Sequence, residues 1–263
     1  MQLRSDIILN YLKYQAKSKH RKGHGIHSPY VYEFVSKVLF DKQFYEEYDY
    51  IAEVYNELTT SKEILKVNPL GAGSEKFQTE KRTVQDLARI SSVQPRYGNL
   101  LFRIAKYSKP STIIELGTSI GISTLCLAKG NPKARIVTIE GDTTLCEYAR
   151  AMFKKHGLNT IKAINGPFDD YLPYLGKNYP LPQLIFIDGN HAYDATLRYF
   201  NFFIDRMEEG FLIIDDINWS ADMRKAWNAI LQDKRVTVSI DLFFMGIVIK
   251  RKLVTPGHYV IRF

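Results

Sequence analysis

A strand, a glycine turn and a helix follow one another in residues 111–130, STIIELGTSIGISTLCLAKG. Residues 112–116 form a short, largely apolar and β-branched run bounded by proline and glycine, which predicts a buried strand of a parallel sheet. From Ser119 onward the apolar residues recur with a helical period up to the closing glycine, and Thr118 or Ser119 is predicted to cap this helix. The unit therefore predicts an α/β fold.

The turn between this strand and this helix predicts a ligand site. A helix begins with backbone N–H groups that have no partner within the helix, and Gly117 and Gly121 leave main chain open to a ligand. Their spacing departs from the G-x-G-x-x-G fingerprint of dinucleotide sites. A second β-branched run, residues 135–140, ends at Glu140, where a carboxylate would accept two hydroxyls of a ribose. The alternative is that the glycines serve only packing.

These residues resemble a known cofactor site. E-L-G-x-x-x-G followed by I-E resembles the S-adenosylmethionine (SAM) site of class I methyltransferases, and ELGTSIGISTLCLA is similar to the catechol O-methyltransferase-like and macrocin O-methyltransferase-like groups. In those groups the acid and first glycine lie along the methionine part of SAM, the position of Ser123 holds its carboxylate, and the turn at residues 166–168 contacts adenine. The resemblance implies SAM contacts from Glu115, Gly117, Thr118, Ser119, Gly121, Ser123, Glu140, Gly141, Gly166, Pro167, Phe168 and Asp188.

Length and composition indicate a folded protein. The chain has 263 residues, of which 45% are hydrophobic and 24% charged, enough for a sizeable core. Its first residues lack the apolar region of a signal peptide, and no apolar run reaches the length of a membrane span, so we expect a cytoplasmic protein without a membrane partner. Cys126 and Cys146 lack C-x-x-C spacing and are predicted to be buried free thiols.

The formal net charge of +8 raises the alternative of nucleic-acid binding. The early cations are followed by an acidic stretch, residues 41–57, a pattern typical of two solvated helix faces. We therefore expect no nucleic-acid partner and keep an RNA-contacting arm as the alternative. His20, His24 and His27 lie in a basic setting without nearby carboxylates, which favours solvated histidines or histidines at the rim of the substrate site over metal ligands.

The two parts of the chain differ in pattern. Residues 1–108 indicate helices and a glycine-rich loop at residues 70–74, and we predict a helical N-terminal extension that forms the acceptor pocket and lid; a plain linker is the alternative for the loop. Residues 109–263 alternate strands and helices and close with two strands, 236–241 and 244–250, whose short link requires antiparallel pairing. We predict a Rossmann-like, doubly wound, mostly parallel seven-stranded sheet with an antiparallel last strand as the SAM-binding methyltransferase domain.

Acidic side chains end two of the later predicted strands. Ligands gather at the carboxyl ends of the strands in open α/β sheets, and Asp188, Asp215 and Asp216 lie at such ends. Three carboxylates brought together repel one another unless a cation lies among them, and oxygen ligands suit Mg²⁺ or another hard divalent ion. The similar O-methyltransferases bind such an ion through an acid at the first position and Asp-Asn, or Asp-Asp in the macrocin type, at the second. The alternative is that Asp188 contacts SAM and the other two cap a helix.

His191 is the candidate general base. It follows Asp188 by three residues, at the position where the catechol type carries a lysine. A histidine near a metal-bound hydroxyl would accept its proton at neutral pH, while the metal would lower the pKa of the hydroxyl. We predict catalytic roles for His191 and Asp188, and a structural histidine is the alternative.

The function predicted from these features is SAM-dependent O-methylation of a small hydroxylated molecule, assisted by a divalent cation. An RNA methyltransferase is the enzymatic alternative, although the fourth strand ends in Asp188-Gly-Asn-His191 rather than the [DNS]-P-P-[YF] string of amino-methylating enzymes. A SAM-binding protein without metal-dependent catalysis is the alternative from another class. The identity of the acceptor and the choice between monomer and homodimer stay open.

Overall fold

The computed structural model describes residues 2–18, 25–68, 80–179 and 181–263. His20, His24 and the glycine loop at residues 70–74 lie outside the described residues. The chain divides into two compact units. The first unit comprises Met1–Asp41 and Leu181–Phe263, and the second unit comprises Lys42–Pro180.

Helices and strands alternate along most of the described chain. The helices are α1 (Gln2–Lys17), α2 (Pro29–Phe34), α3 (Glu46–Thr60), α4 (Val84–Ile90), α5 (Pro95–Ser108), α6 (Ile122–Gly130), α7 (Thr143–Lys155), α8 (Phe168–Asn178), α9 (Tyr193–Arg206) and α10 (Ala221–Leu231), with a π-helical turn at Val35–Leu39 after α2. The strands are β1 (Ile64–Lys66), β2 (Lys81–Thr83), β3 (Thr112–Leu116), β4 (Arg135–Glu140), β5 (Ile161–Asn165), β6 (Leu184–Ile187), β7 (Gly210–Ile214), β8 (Val238–Asp241), β9 (Gly246–Lys250) and β10 (Gly257–Val260).

The second unit is built on three parallel strands. β4 pairs with β3 on one side and with β5 on the other, and α6 and α7 are the connections between them. The inner parts of β3 and β4 are buried on both faces, as expected for parallel strands covered by helices. Gly130 lets α5 approach α6 closely, because a Cβ there would lie 2.3 Å from the carbonyl oxygen of Phe102. The carboxyl ends of these strands place the predicted cofactor residues at one edge.

A short antiparallel pair precedes these strands. β1 pairs with β2 in the register Ile64 to Thr83. The pattern of residues 45–65 predicts one continuous helix, whereas α3 ends at Thr60. The strands are only three residues long, with the sequences Ile-Leu-Lys and Lys-Arg-Thr, so neither carries a hydrophobic alternation that would predict it.

The first unit holds the other five sheet strands. β6 pairs parallel with β7, and β9 lies antiparallel between β7 and β8. The antiparallel pairing of β8 and β9 confirms the predicted hairpin. β9 is not the last strand, however, because β10 follows and pairs parallel with β8. The predicted count of seven strands was therefore wrong by one.

The N-terminal helices of the first unit are held by aromatic contacts. Tyr14 of α1 is buried, donates a hydrogen bond to the carbonyl oxygen of Ile261, and lies 5.3 Å from the ring of Phe243. Phe34 stacks on Phe211 of β7 with ring centroids 5.2 Å apart. In the described part of the chain, no helix is both long and apolar enough to cross a membrane. The functional boundary between residues 108 and 109 stays a prediction, since the compact units describe packing and not function.

Candidate functional site

The turn after β3 is built from residues in left-handed backbone conformations. Gly117 has φ 105°, Ser119 has φ 48° and Gly121 has φ 90°. The N–H of Gly117 donates to the carbonyl oxygen of Ile139 at 2.9 Å, which ties the turn to β4. L-residues with a side chain rarely adopt such φ values, so the two glycines are required by the backbone. α6 begins at Ile122 with Gly121 as its cap, and the predicted cap at Thr118 or Ser119 was wrong.

Gly121 has a packing role. A Cβ at this position would lie 2.5 Å from the Cε of Met152 and 2.7 Å from the ring of Phe153. Both side chains belong to α7 and are buried together with Ala149. Gly121 therefore has a packing role, which was the alternative to ligand binding for these glycines. Contact between Gly121 and a ligand stays a prediction.

Glu115 is the buried acid of this turn. Its side chain has no exposed surface. Its Oε2 accepts hydrogen bonds from the hydroxyls of Thr124 at 2.5 Å and Thr138 at 2.6 Å, and the hydroxyl of Thr118 donates to that of Thr138 at 2.6 Å. The second oxygen, Oε1, has no hydrogen-bond partner within the described part of the chain. One oxygen of the carboxylate is thus fixed, and the other is a buried acceptor that still lacks a donor.

Burial raises the pKa of Glu115 to about 7. Hydrogen bonds from Thr124 and Thr138, together with the nearby hydroxyl of Ser123, act in the opposite direction, because they favour the charged form. The negative charge of Glu140 adds a smaller upward effect. A cationic group placed beside this carboxylate would favour its ionised form, so the site suits a positively charged ligand atom.

Glu140 connects two loops at the end of β4. Its Oε2 accepts the N–H of Ser119 at 2.7 Å, and its Oε1 accepts the N–H of Asp142 at 2.9 Å. Burial raises the pKa of Glu140, while these backbone N–H groups lower it. A carboxylate offers about four lone-pair sites, so each oxygen retains capacity for one hydroxyl. Beside it, a Cβ added to Gly141 would meet nothing within 4 Å.

Asp142 is a residue that the sequence analysis missed. Its Oδ1 caps α7 by accepting the N–H of Leu145 at 2.8 Å, and its Oδ2 accepts the N–H of Asn68 at 2.7 Å. The side chain is buried. An aspartate before a helical run signals a cap, but the bond to Asn68 spans 74 residues and is not visible in the sequence. Asp142 therefore fixes the loop that carries Glu140 and Gly141.

The turn after β5 is partly filled by its own helix. Gly166 has φ 146°, and a Cβ there would lie 2.5 Å from the ring of Tyr171. The hydroxyl of Tyr171 donates to the carbonyl oxygen of Asn165 at 2.9 Å. Pro167 precedes α8 as its cap and Phe168 begins it. Adenine contact by these residues stays a prediction.

The first unit carries the predicted catalytic pair. Asp188 follows β6, and its Oδ1 lies 3.7 Å from the Nε2 of His191. The two side chains are 19% and 14% exposed. Asn190 between them has φ 48° and donates from its amide to the hydroxyl of Tyr199 at 3.1 Å. This bond anchors the loop to α9 and positions His191 near the carboxylate that would stabilise its protonated form.

Asp215 and Asp216 follow β7. The N–H of Asp215 donates to the carbonyl oxygen of Ile187 at 2.9 Å, so the carboxyl ends of β6 and β7 lie side by side. Burial raises the pKa of Asp215 well above its ordinary value, and repulsion by Asp216 adds to the effect. Asp216 has φ 55°, a conformation that costs a non-glycine residue roughly 1 kcal/mol. Two adjacent carboxylates are thus held together in a strained turn.

The three predicted metal ligands do not form a complete metal-binding group. Over the residues that the structure describes, no group of three or more His, Cys, Asp or Glu side chains is arranged to hold a metal ion. The carboxylates of Asp188, Asp215 and Asp216 have the oxygen chemistry that suits Mg²⁺, but their arrangement does not present three donors at once. The metal site therefore stays a prediction that rests on donor chemistry. Cys126 and Cys146 are free and buried, as predicted.

Sequence comparisons relate the chain to methyltransferases. Residues 114–217 match a family model described as a methyltransferase domain. An O-methyltransferase from Aspergillus hancockii is 30% identical over 163 residues, 58% of this chain and 62% of that protein. A catechol O-methyltransferase from Niastella koreensis is 31% identical over 128 residues, 48% of this chain and 57% of that protein. The chain thus spans less than two thirds of the length of these relatives.

Solved structures show the same fold. An O-methyltransferase from Bacillus cereus in complex with SAH has a TM-score of 0.55 and 20% identity, covering 84% of this chain and 97% of that one. An O-methyltransferase from Streptomyces achromogenes, involved in tomaymycin synthesis and crystallised with SAM, has a TM-score of 0.53 and 19% identity, covering 81% of this chain and 100% of that one. These likenesses confirm the predicted α/β fold class.

Proposed function

We propose that this chain transfers the methyl group of SAM to a hydroxyl of a small molecule. Two likenesses support the proposal: residues 114–217 match a methyltransferase domain model, and the chain is similar to O-methyltransferases. The observation that supports SAM most directly is the buried carboxylate of Glu115. Its Oε1 lacks a hydrogen-bond partner within the described residues, and it lies beside a turn that requires glycine at residue 117. The ammonium group of a bound SAM would supply both the missing donor and a positive charge.

The proposed ribose site is Glu140. Its two oxygens each accept one backbone N–H and each retain a lone pair for one ribose hydroxyl. The adjacent Gly141 adds no side chain, so the approach beside it stays open. We propose further cofactor contacts from three places. Thr118, Ser119 and Ser123 would contact the methionine part of SAM, and residues 166–168 would contact adenine. Asp188 would contact the cofactor as well.

We propose that a divalent cation assists the reaction and that Asp188, Asp215 and Asp216 would hold it once their carboxylates turn toward one another, since the described residues do not present three donors together in this structure. The high pKa of Asp215 and the strained turn at Asp216 support this assignment, because a cation would relieve the repulsion between the two carboxylates. Such an ion, when bound, would orient an acceptor hydroxyl and lower its pKa. His191, 3.7 Å from Asp188, would accept the proton from that hydroxyl, and Asp188 would stabilise the imidazolium. The deprotonated oxygen would then attack the methyl carbon of SAM, so that the O–CH3 bond forms as the C–S bond breaks and the sulfur keeps the electron pair of that bond as a neutral thioether.

The test is methyl transfer from labelled SAM to 3,4-dihydroxybenzoate, a small catechol probe, with and without chelator. We expect product with added Mg²⁺ and a loss of rate with chelator. His191→Ala should lower the rate by roughly 10²- to 10⁴-fold, the range for loss of a general base. His258→Ala, at an exposed histidine of β10 in the same unit, is the matched control and should leave the rate unchanged. Equal rates in wild type and His191→Ala would contradict the assigned base, and an unchanged rate under chelator would contradict the metal.

A further inference from the structure

A basic groove lies at the amino ends of the parallel strands of the second unit. It is a surface groove that is open to solvent and has a volume of about 620 Å³, and its lining residues are Ser111, Thr112, Lys133, Arg135, Asn159, Thr160, Ile161 and Lys162. Three of these side chains are cationic, and none of the described lining residues is acidic. Because the residues of the SAM turn follow the carboxyl ends of the same strands, the groove lies at the opposite edge of the strands and belongs to no function assigned so far.

The strand register brings the cations onto one face. Arg135 is the first residue of β4 and pairs with Thr112, while Lys162 of β5 pairs with Val137. Arg135 and Val137 are two residues apart, and side chains with that spacing share a face of the sheet. Paired residues of neighbouring strands also share a face, so Arg135 and Lys162 lie on the same side. Lys133 lies in the turn that leads into β4.

Two tyrosines, in α8 and at its C-terminus, lie beside two of these cations. The Nζ of Lys162 donates to the hydroxyl of Tyr174 at 2.6 Å. Tyr174 packs edge to face on Tyr179 with ring centroids 6.2 Å apart, and Tyr179 is within electrostatic reach of both Arg135 and Lys162. Three cations in one groove repel one another, so an anion placed among them would be stabilised.

We propose that this groove binds a small phosphorylated ligand. Phosphate groups accept hydrogen bonds from guanidinium and ammonium groups, and Arg135 offers the planar fork that matches two phosphate oxygens. The hydroxyls of Ser111 and Thr160 and the amide of Asn159 supply further polar contacts. A volume of about 620 Å³ exceeds what one phosphate fills and lies within the usual range for small-molecule sites. The expected ligand class therefore carries a diphosphate or a phosphate with an attached organic group.

The experiment is calorimetric titration of the full chain with inorganic pyrophosphate and, separately, with ADP. We expect saturable binding that weakens between about 50 mM and about 200 mM salt. The double variant Arg135→Gln/Lys162→Gln should bind at least about tenfold more weakly, because it loses two hydrogen bonds to a charged group. Lys234→Gln changes the same kind of charge at an exposed lysine of the first unit and should stay within about twofold of wild type. Tighter binding of ADP than of pyrophosphate would support a nucleotide, and equal binding would support the diphosphate alone.

Three results would overturn the proposal. The first is equal pyrophosphate affinity in wild type and in the double variant, with both melting at the same temperature. The second is loss of pyrophosphate binding in Gly117→Ala or its displacement by SAH, since either would place the anion at the cofactor turn. The third is binding of a short single-stranded RNA far more tightly than ADP, with loss in the same double variant, which would assign the groove to nucleic acid. Because the titration does not depend on methyl transfer, its failure and that of the proposed function are distinguishable.

Discussion

The hydroxyl of Thr138 donates to Oε2 of Glu115 at 2.6 Å, while the other oxygen of the same carboxylate has no partner within the described residues. Thr138 lies on β4 and Glu115 on the neighbouring strand β3, so the contact is set by the sheet register. The half-satisfied carboxylate explains why burial outweighs hydrogen bonding in its pKa. Replacement of Glu115 therefore allows the effect on stability to be measured separately from the effect on cofactor binding.

Glu115→Gln should stabilise the protein at alkaline pH. The pKa of Glu115 in the folded state is about 7, above its value in the unfolded chain, so its contribution to stability is present below pH 4.5 and is lost as pH rises through 7. The loss amounts to roughly 3 kcal/mol. We expect similar free energies of unfolding for variant and wild type near pH 4.5, and a more stable variant above the folded pKa. Denaturant unfolding at both ends of this range measures the difference. Glu53→Gln, at an exposed glutamate, is the control, and an equal pH response of all three proteins would contradict the account.

Gly117→Ala should weaken SAM binding more than it weakens the fold. A side chain at φ 105° costs roughly 1–2 kcal/mol, and its methyl group would also occupy the proposed cofactor path. Gly157→Ala is the matched control, because Gly157 has φ 66° and open space around a Cβ. We expect comparable drops in melting temperature for both variants and at least about a tenfold loss of SAM affinity for Gly117→Ala alone. Equal SAM affinity in the two variants would show that this glycine serves only the turn.

Gly121→Ala should destabilise the protein by overpacking. The new Cβ would lie 2.5 Å from the Cε of Met152 and 2.7 Å from the ring of Phe153, and it would adopt an unfavourable positive φ. Together these effects cost roughly 2–4 kcal/mol. Chemical denaturation of Gly121→Ala beside Gly141→Ala, where a Cβ meets nothing within 4 Å, provides the comparison. Replacement of Phe153 by leucine in the Gly121→Ala background should recover part of the lost unfolding free energy. If the destabilisation of the double variant equals the sum of those of the two single variants, the clash is not the cause.

Asp215→Ala should lose a metal response without losing stability in chelator. Burial and repulsion by Asp216 raise the pKa of Asp215, so the charge at this residue opposes folding once pH rises through that raised pKa. The variant should therefore melt at or above the wild-type temperature in chelator at neutral pH. Saturating Mg²⁺, at about 100 times its Kd, should stabilise wild type by roughly 2.7 kcal/mol and leave the variant unchanged. Melting curves with and without Mg²⁺ decide this, and an identical Mg²⁺ response in both proteins would remove Asp215 from the site.

Local patterns in the sequence predicted β3, β4, the glycine turn and the hairpin of β8 and β9. Each of these carries either a hydrophobic period or a glycine that the local backbone conformation requires. The contact of Gly121 with Met152 and Phe153 joins residues about thirty positions apart along the chain, so no local pattern reveals it. β10 contains only one aliphatic residue, Val260, and pairs with β8 through its backbone.

The remaining misses have similar causes. α8 contains Pro173 in its interior, which weakens any helical signal, and the sequence analysis left that segment unassigned. The bond between Asn68 and Asp142 depends on tertiary packing. Glu115 and Glu140 were predicted as ligand residues from strand ends and resemblance, but the open oxygen of Glu115 is visible only in three dimensions.

Calorimetric titration of the full chain with SAM measures whether the turn after β3 binds this cofactor. We predict saturable binding of micromolar order for SAM and SAH, no heat with NAD, and loss of the SAM heat in Gly117→Ala but not in Gly157→Ala. Binding of NAD without any SAM heat, or SAM binding that is indifferent to Gly117, would contradict it.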